Sequence, residues 1–183
     1  MAAIALLSLC LACAHQVGPP VQSCRLEESE LLADSVVGPF RLGESAASVR
    51  GRCPQAIDSV RKTPDGADTE NVLVVPFASD TLVLALHDSI VYIIYVNSAR
   101  FKTREGFGVG ESVRKFLDAS GAKVELSDHV PALSVNRYCS MYFMLTGSEQ
   151  EGEIGDTFSA GYVRLWKREE FVQYVVVNSC YHE

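Results

Sequence analysis

The sequence predicts an α+β protein made of two tandem repeats, each a short helix followed by an antiparallel β-meander. The strands are expected to form one curved sheet with both helices on one face. Two observations support this fold class: short motifs recur along the chain in the same order, and strand-like apolar segments follow each recurrence. With 183 residues, 48 % of them hydrophobic and 21 % charged, the chain has the composition of a folded domain.

The recurrence consists of three pairs of matching segments. The pairs are residues 40–45 with 107–112, residues 72–75 with 139–142, and residues 81–98 with 162–179. The offset is 67 residues for the first two pairs and 81 for the third, so the second copy is expected to hold an insertion of 14 residues near positions 149–162. Both copies end in Val-Asn-Ser.

Each copy opens with a glycine and a serine that mark the start of a helix. A short apolar strand ends at Gly43 or Gly110, and Ser45 or Ser112 stands where a helix N-cap belongs. Apolar residues at helical spacing follow each serine. The expected helix stops are Gly51 and Gly121.

Three strands are predicted after each helix. They are residues 71–77, 80–87 and 89–97 in the first copy and residues 138–145, 157–167 and 170–179 in the second. Tight connections at His87-Asp88 and at Arg168-Glu169 favour hairpins. The chain thus divides into a leader, an N-terminal segment, a first repeat, a linker and a second repeat, at residues 1–14, 15–35, 36–98, 99–104 and 105–183.

The leader is apolar and uncharged, and it fits the apolar part of an export signal. Its tripeptide Ala-Cys-Ala at residues 12–14 would release the chain before His15. Alternatively, Leu11 to Cys13 resembles the end of a bacterial lipobox, which would make Cys13 a lipidated N-terminus. A third interpretation is a buried N-terminal helix. The first two predict export to the bacterial periplasm, outer-membrane anchoring or secretion, with membrane contact only through the lipid.

Four cysteines follow the leader, and an even number in an exported chain predicts two disulfides. They are Cys24, Cys53, Cys139 and Cys180. The predicted meander separates Cys139 from Cys180 by roughly 17 Å, whereas a disulfide needs Cα atoms within about 7 Å. One of these two is therefore expected to pair with Cys24 or Cys53. An alternative is that some thiols stay free.

Alternation along the predicted strands assigns their side chains to two faces of the sheet. The outer face is expected to carry Val83, Ala85, Ile90, Tyr92 and Ile94 in the first copy, and Tyr162, Arg164, Trp166, Phe171, Gln173 and Val175 in the second. The core face is expected to carry Leu82, Leu84, Leu86, Val91, Ile93 and Tyr95, and Val163, Leu165, Val172, Tyr174 and Val176.

The outer face is too apolar for simple exposure to solvent, because a half-exposed antiparallel sheet is polar on its wet side. Arginine, tryptophan and tyrosine are also enriched at the centres of protein interfaces. We therefore predict a partner-binding surface formed by Tyr92, Arg164, Trp166, Phe171 and Gln173. The alternative is that the N-terminal segment, the insertion or a twin subunit covers this face.

The sequence contains no motif for catalysis, phosphate binding or metal binding, so it predicts a non-enzyme without a cofactor or metal. Two acidic groups lack the spacing of a calcium loop and are interpreted as solvated loops. They are Asp65, Asp68 and Glu70, and Glu149, Glu151, Glu153 and Asp156. The formal charge of −7 argues against nucleic acid as a partner. A hydrolase with an unrecognised site is the alternative from another class.

The duplicated pattern over residues 36–180 resembles the β-lactamase-inhibitor-protein-like (BLIP-like) architecture. That resemblance implies two helix-plus-sheet units in one curved sheet and an inhibitor-like, non-enzymatic binding function toward another envelope or extracellular protein. The G-x-S turn before each helix is similar to that of outer-membrane assembly lipoproteins of the BamE (SmpA/OmlA) type. This second resemblance implies an envelope-assembly or cell-wall-associated scaffold anchored through Cys13. No inhibitor loop matches residue by residue, so no family contact residue is carried over.

Overall fold

The computed structural model describes residues 24, 31–63, 66–77, 80–119, 121–127, 130–145 and 171–180. Within these ranges the chain forms a three-stranded sheet, an eight-stranded sheet and two short helices. Every pair of neighbouring strands in the large sheet is antiparallel. The protein is therefore an α+β protein in which antiparallel sheet predominates.

The elements are named in chain order. They are β1 (Leu32–Ala33), β2 (Val36–Val37), β3 (Phe40–Arg41), α1 (Ala46–Arg52), β4 (Ile57–Lys62), β5 (Thr69–Phe77), β6 (Asp80–His87), β7 (Ile90–Val96), α2 (Val113–Leu117), β8 (Ala122–Ser127), β9 (Val130–Val135), β10 (Tyr138–Leu145) and β11 (Val172–Val177). Strands β1, β2 and β3 form the small sheet, and the large sheet has the order β4-β5-β6-β7-β11-β10-β9-β8. The centre of the large sheet is thus the junction of β7 with β11.

The two helices begin where the glycine-serine pattern predicts. Ser45 is the N-cap of α1, and its hydroxyl accepts a hydrogen bond from the backbone N–H of Ser48 at 3.2 Å. Ser112 occupies the N-cap of α2 without a side-chain capping bond. The expected stop at Gly51 is wrong, because α1 continues through Arg52 to the disulfide-bonded Cys53.

The main core lies on one face of the large sheet, which we call the first face. Buried side chains of the two helices, of the small sheet and of residues 101–107 belong to the same apolar cluster. Its largest fully buried aromatic side chains are Phe40, Phe116 and Phe143. The ring of Phe116 lies 4.6 Å from that of Phe107 and 4.7 Å from that of Phe143, measured between centroids. Described residues of the N-terminal segment, such as Leu32, therefore pack on the first face.

Strands β7 and β11 each contain a β-bulge. In β7, Ala85 of the neighbouring strand pairs with Ile93 but Leu86 pairs with Val91, so Tyr92 is an extra residue. In β11, Met144 pairs with Tyr174 but Leu145 pairs with Val172, so Gln173 is extra. Strict alternation ends at each bulge, because two successive residues then share one partner position.

The bulges correct part of the predicted assignment to faces. Ile94 and Val175 were expected on the outer face, but both are fully buried in the main core. Four residues expected in that core instead join a second apolar cluster on the opposite side of the sheet. They are Ile93, Tyr95, Tyr174 and Val176. The assignments of Val83, Ala85 and Tyr92 to the outer side are confirmed.

The predicted strand positions are confirmed for β5, β6, β7 and β10, whereas β4, β8 and β9 were not predicted. The predicted strand at residues 157–167 lies outside the described residues. The two neighbours of β11 in the large sheet are β10 and β7. The match of residues 72–75 with 139–142 is also wrong. Matching segments of two repeats should hold equivalent positions in the sheet, but β5 is second from one end and β10 is third from the other.

Two disulfides are present, as predicted. They join Cys24 to Cys53 with a Cα separation of 4.5 Å, and Cys139 to Cys180 with a Cα separation of 5.3 Å. The prediction that disfavoured the second pairing is wrong. It assumed an intervening strand, whereas β10 pairs directly with β11, with Met141 opposite Val177, and this register brings both cysteines together.

The disulfides are consistent with an exported protein, because such bonds persist in oxidising compartments. In the part of the chain that the structure describes, neither helix has the length and apolarity needed to cross a bilayer. The predicted leader and Cys13 lie outside the described residues.

Candidate functional site

A second apolar cluster covers the side of the large sheet opposite the first face. We call its members the tyrosine face. Six are buried, namely Val72, Ala85, Tyr95, Ala132, Met144 and Val176. Six more are partly buried, namely Val74, Val83, Tyr92, Ile93, Tyr142 and Tyr174. All twelve lie on strands of the large sheet, and none comes from a helix or from the small sheet.

The strand register arranges many of these side chains in a continuous row. Residues that face each other in antiparallel strands point to the same side of the sheet. One row runs across six strands through Ile57, Val74, Val83, Tyr95, Val176 and Tyr142. At about 4.8 Å per strand spacing, the row is about 24 Å wide. That width is close to the edge length of a square patch of about 800 Å². This is the area that one partner usually contributes to a stable protein interface.

The tyrosine face continues onto the second half of the sheet. Met144 of β10 faces Tyr174 on one side and Ala132 on the other. Tyr174 lies on this side because the bulge at Gln173 shifts the alternation of β11. The four aromatic residues of the face are all tyrosines, on β7, β10 and β11 at the middle of the sheet.

Glu70 is a buried carboxylate at the margin of this face, with only 7 % of its surface exposed. Its Oε2 accepts a hydrogen bond from the Tyr92 hydroxyl at 2.7 Å, and its Oε1 accepts one from the Tyr95 hydroxyl at 3.0 Å. Arg61 Nε lies 3.3 Å from the same Oε1. The carboxylate is therefore compensated both by hydrogen bonds and by a cation, as a buried charge requires.

The Glu70 network also fixes the two tyrosine rings. The Arg61 guanidinium carbon lies 4.0 Å from the centroid of the Tyr95 ring, within the range of a cation–π contact. Burial, followed by the hydrogen bond to Glu70 and its negative charge, raises the pKa of Tyr92 to about 12. Burial and Glu70 likewise raise the pKa of Tyr95 above its usual range. Both hydroxyls are therefore protonated donors at neutral pH.

Sequence reasoning missed the importance of Glu70. It was interpreted as part of a solvated acidic loop, but it lies within β5 and is buried. The cross-strand pairing of Arg61 with Glu70 depends on β4, which has no alternating apolar pattern in the sequence. Opposite charges at residues 61 and 70, nine positions apart around a turn, were the available signal for this pair.

The predicted partner-binding residues do not form one cluster. Tyr92 lies on the tyrosine face, while Gln173 is exposed at the bulge of β11. Phe171 is 53 % exposed and bridges to Ser112 at the start of α2. The β7–β11 register places Phe171 about eight residues from Tyr92 along the strands, or roughly 25 Å. Arg164 and Trp166 lie outside the described residues.

Two further polar groups fall outside the tyrosine face. Asp34 lies close to Cys139 and Cys180, but both sulfurs are committed to a disulfide and offer no thiolate to a metal. At another end of the sheet, Glu105 accepts hydrogen bonds from Arg137 and from the Tyr138 hydroxyl beside an open cavity of about 520 Å³. We assign no ligand to either place.

Comparison with known proteins identifies a fold but no family. No protein-family model and no curated protein matches the chain. Among solved structures, the chain is similar to the uncharacterized protein YfeY from Escherichia coli, with a TM-score of 0.52 and 8 % sequence identity. The match covers 82 % of this chain and 97 % of that one. Because that protein is described as uncharacterized, the likeness concerns the fold alone.

Proposed function

We propose that this protein is an exported, non-enzymatic protein-binding module that docks a partner on the tyrosine face. The observation that carries the proposal is the continuous row of apolar and tyrosine side chains across six strands, on a side of the sheet to which no described helix contributes. A face of this width matches the dimensions of a standard protein interface. Tyrosine and arginine are the residue types that most often dominate binding energy at such centres.

The chemistry of the face favours an apolar patch on a folded partner over a charged one. Glu70 and Arg61 compensate each other's charge, and the hydroxyls of Tyr92 and Tyr95 already donate to Glu70. Tyr95 is only 3 % exposed, so of these two tyrosines it is Tyr92 that presents ring carbon to a partner, and its hydroxyl is not a free donor. Their side chains are held by hydrogen bonds, so binding would cost little side-chain entropy, which favours affinity.

The same proposal includes the two-repeat architecture with both helices on the first face. Two equivalent backbone clamps support it. Gly43 N–H donates to Val91 O at 2.8 Å, and Gly110 N–H donates to Val172 O at 2.8 Å. The bulges that follow, at Tyr92 and Gln173, are also equivalent. Buried residues of both helices belong to one core cluster.

We place the protein in the bacterial envelope or outside the cell, as the disulfides and the apolar leader favour. Inhibition of an enzyme, implied by the BLIP-like resemblance, is one form that such binding could take. The scaffold role implied by the BamE-type resemblance would add a lipid at Cys13. Lipid labelling of Cys13 separates the two, since a soluble inhibitor would carry none.

The test is affinity capture from the organism's own envelope fraction with three forms of the protein. They are the wild type, a Tyr142→Ala/Tyr174→Ala variant of the tyrosine face, and a Phe171→Ala/Gln173→Ala control away from its centre. We expect one partner to be retained by the wild type and the control and lost by the tyrosine variant, with all three equally folded by circular dichroism. Retention by the tyrosine variant, or loss by the control alone, would overturn the proposal.

A further inference from the structure

Among the strands that the structure describes, β4 is an edge strand with one neighbour. β4 lies at one end of the strand order of the large sheet. All six of its residues pair regularly with β5. No other described strand pairs with it. Its outer edge therefore presents backbone N–H and C=O groups that another strand could pair with.

Half of the residues in β4 are charged, and its two large apolar side chains are exposed. Ile57 and Val60 are 61 % and 62 % exposed, and they are the two most exposed large apolar side chains of the described residues. Ile57 points to the tyrosine face, opposite Val74, and Val60 points to the other side. Two devices that protect an edge strand, a bulge and an internal proline, do not occur within residues 57–62, whereas a third device, charged side chains, is present at Asp58, Arg61 and Lys62.

We propose that two copies of this chain associate by antiparallel pairing of their β4 strands about a two-fold axis at Val60. The charges of the strand select this register. When a two-fold axis continues the sheet, residues that face each other across it must point to the same side of the sheet. This requires the axis to lie level with one residue of the strand, which then faces its own copy. With the axis at Val60, Asp58 of each copy lies opposite Lys62 of the other, which gives two ion pairs. The two Val60 side chains lie next to each other at the axis.

The neighbouring registers are electrostatically worse. An axis at Asp58 would place two aspartates face to face, and an axis at Arg61 would place two arginines face to face. An axis at Ser59 would set Asp58 against Val60. Like charges directly opposite each other destabilise a strand pair, whereas opposite charges stabilise it. The Val60 register is thus the one that matches charge with charge and apolar with apolar.

The side chains that would form the new ion pairs are accessible. The Asp58 side chain is 70 % exposed and contacts Arg50 through Oδ1, which leaves Oδ2 for a second donor. The Lys62 side chain is exposed and forms no hydrogen bond or ion pair with another described residue, while its backbone carbonyl accepts a hydrogen bond from Arg61 Nε at 3.1 Å. Arg61 is held by Glu70 and does not compete for Asp58. The dimer would double the eight-stranded sheet and present both tyrosine faces on the same side.

A cysteine cross-link tests the register. The four cysteines of the described residues are already paired in disulfides, so Val60→Cys adds one free thiol. At the axis, the two new Cβ atoms would lie about 5 Å apart, close enough for a disulfide after small adjustments. Ile57→Cys is the matched control, because it is equally exposed but its two copies would be displaced by roughly 20 Å along the strands.

With Cys10 and Cys13 replaced by serine in every form, we expect mild oxidation of the full chain to give a covalent dimer with Val60→Cys and a monomer with Ile57→Cys on a non-reducing gel. Equal cross-linking of both variants would contradict the register, since it would report random collisions. A lack of cross-linking with Val60→Cys would contradict the dimer itself.

A charge exchange provides the second test, measured by sedimentation equilibrium. Asp58→Lys alone and Lys62→Asp alone each place like charges opposite each other twice, so we expect roughly a tenfold or larger loss in the dimer association constant. The double variant Asp58→Lys/Lys62→Asp restores opposite charges and should recover association. A monomeric wild type, or a double variant as weak as the single ones, would overturn the proposal. Neither residue belongs to the tyrosine face, so partner capture is tested separately.

Discussion

The two faces of the large sheet are both apolar, but they use different aromatic residues. The first face buries five phenylalanines and one tyrosine, namely Phe40, Phe101, Phe107, Phe116, Phe143 and Tyr138. The tyrosine face carries four tyrosines and receives no side chain from a described helix. A phenylalanine suits a permanently dry core, whereas a tyrosine has a hydroxyl that needs a partner or water. This difference supports our proposal that the first face holds the fold together and that the tyrosine face contacts a partner.

The largest effect that separates the faces is expected from neighbouring residues of β10. Phe143 is fully buried against Phe116 on the first face, and Tyr142 is partly buried on the tyrosine face. We expect Phe143→Ala to lower the free energy of unfolding by about 3–5 kcal/mol, as for other buried aromatic truncations. Tyr142→Ala should cost clearly less, because part of its ring is already in water. Urea denaturation of both variants measures this, and equal losses would contradict the contrast between the faces.

The next effect concerns the disulfide that joins Cys139 of β10 to Cys180, which follows β11. Cys139 and Cys180 are separated by 41 residues, and closing such a loop lowers the entropy of the unfolded chain. We expect Cys139→Ala/Cys180→Ala to lower the free energy of unfolding by about 2–4 kcal/mol. Denaturation of this double variant, with peptide mapping of the wild type under non-reducing conditions, tests the pairing. A disulfide between Cys139 and Cys24 or Cys53 in the map would contradict the register of β10 with β11.

A smaller effect is expected from the Glu70 network of the tyrosine face. Glu70→Gln keeps the size of the side chain but removes the charge that accepts from Tyr92 and Tyr95 and pairs with Arg61. Loss of a buried charge-assisted bond typically costs about 1–3 kcal/mol. Thermal or urea denaturation at neutral pH measures it, and an unchanged midpoint would mean that the network does not hold the face.

The same network predicts how stability depends on alkaline pH. The pKa of Tyr92 is raised to about 12 in the folded protein, while an unfolded tyrosine titrates near pH 10. The unfolded chain therefore loses its tyrosine protons first, so the stabilisation is complete below about pH 10 and is lost as the pH rises toward about 12. Glu70→Gln should reduce this alkaline loss, because the negative charge that opposes tyrosine ionisation is gone. If the free energy of unfolding fell equally steeply above pH 10 in the wild type and in the variant, the assignment of Glu70 as the group that opposes tyrosine ionisation would be contradicted.

The smallest effect is expected at the N-caps of the two helices. Ser45 caps α1 through its hydroxyl, whereas Ser112 makes no such bond at α2. We expect Ser45→Ala to cost about 1 kcal/mol and Ser112→Ala only a few tenths of that. Chemical denaturation of the matched pair tests the difference, and a larger loss from Ser112→Ala would reverse it.

The comparison also explains how far the sequence could predict the fold. Local signals worked where one residue decides the structure: Ser45 and Ser112 mark the helix starts, and apolar runs mark β5, β6 and β7. Assignment to faces failed at the bulges, because an extra residue such as Tyr92 inverts all later alternation and has no strong sequence signal.

Long-range pairing was the other limit of prediction. The sequence favoured a strand before β11 as its neighbour, while the structure pairs β11 with β10 and with β7. Hydrogen-bonded neighbours distant in sequence are set by packing of the whole sheet rather than by local pattern. This is why the Cys139–Cys180 disulfide could not be anticipated from the sequence.

The most direct test of the central claim is site-specific photo-cross-linking in the organism that makes the protein. A photoreactive phenylalanine analogue at position 142 would report contacts of the tyrosine face, and the same analogue at the exposed Ala47 of α1 would report the opposite side. We expect a discrete adduct with one partner protein from position 142 and none from position 47. An adduct from position 47 alone, or none from position 142, would contradict the assignment of the tyrosine face as the binding surface.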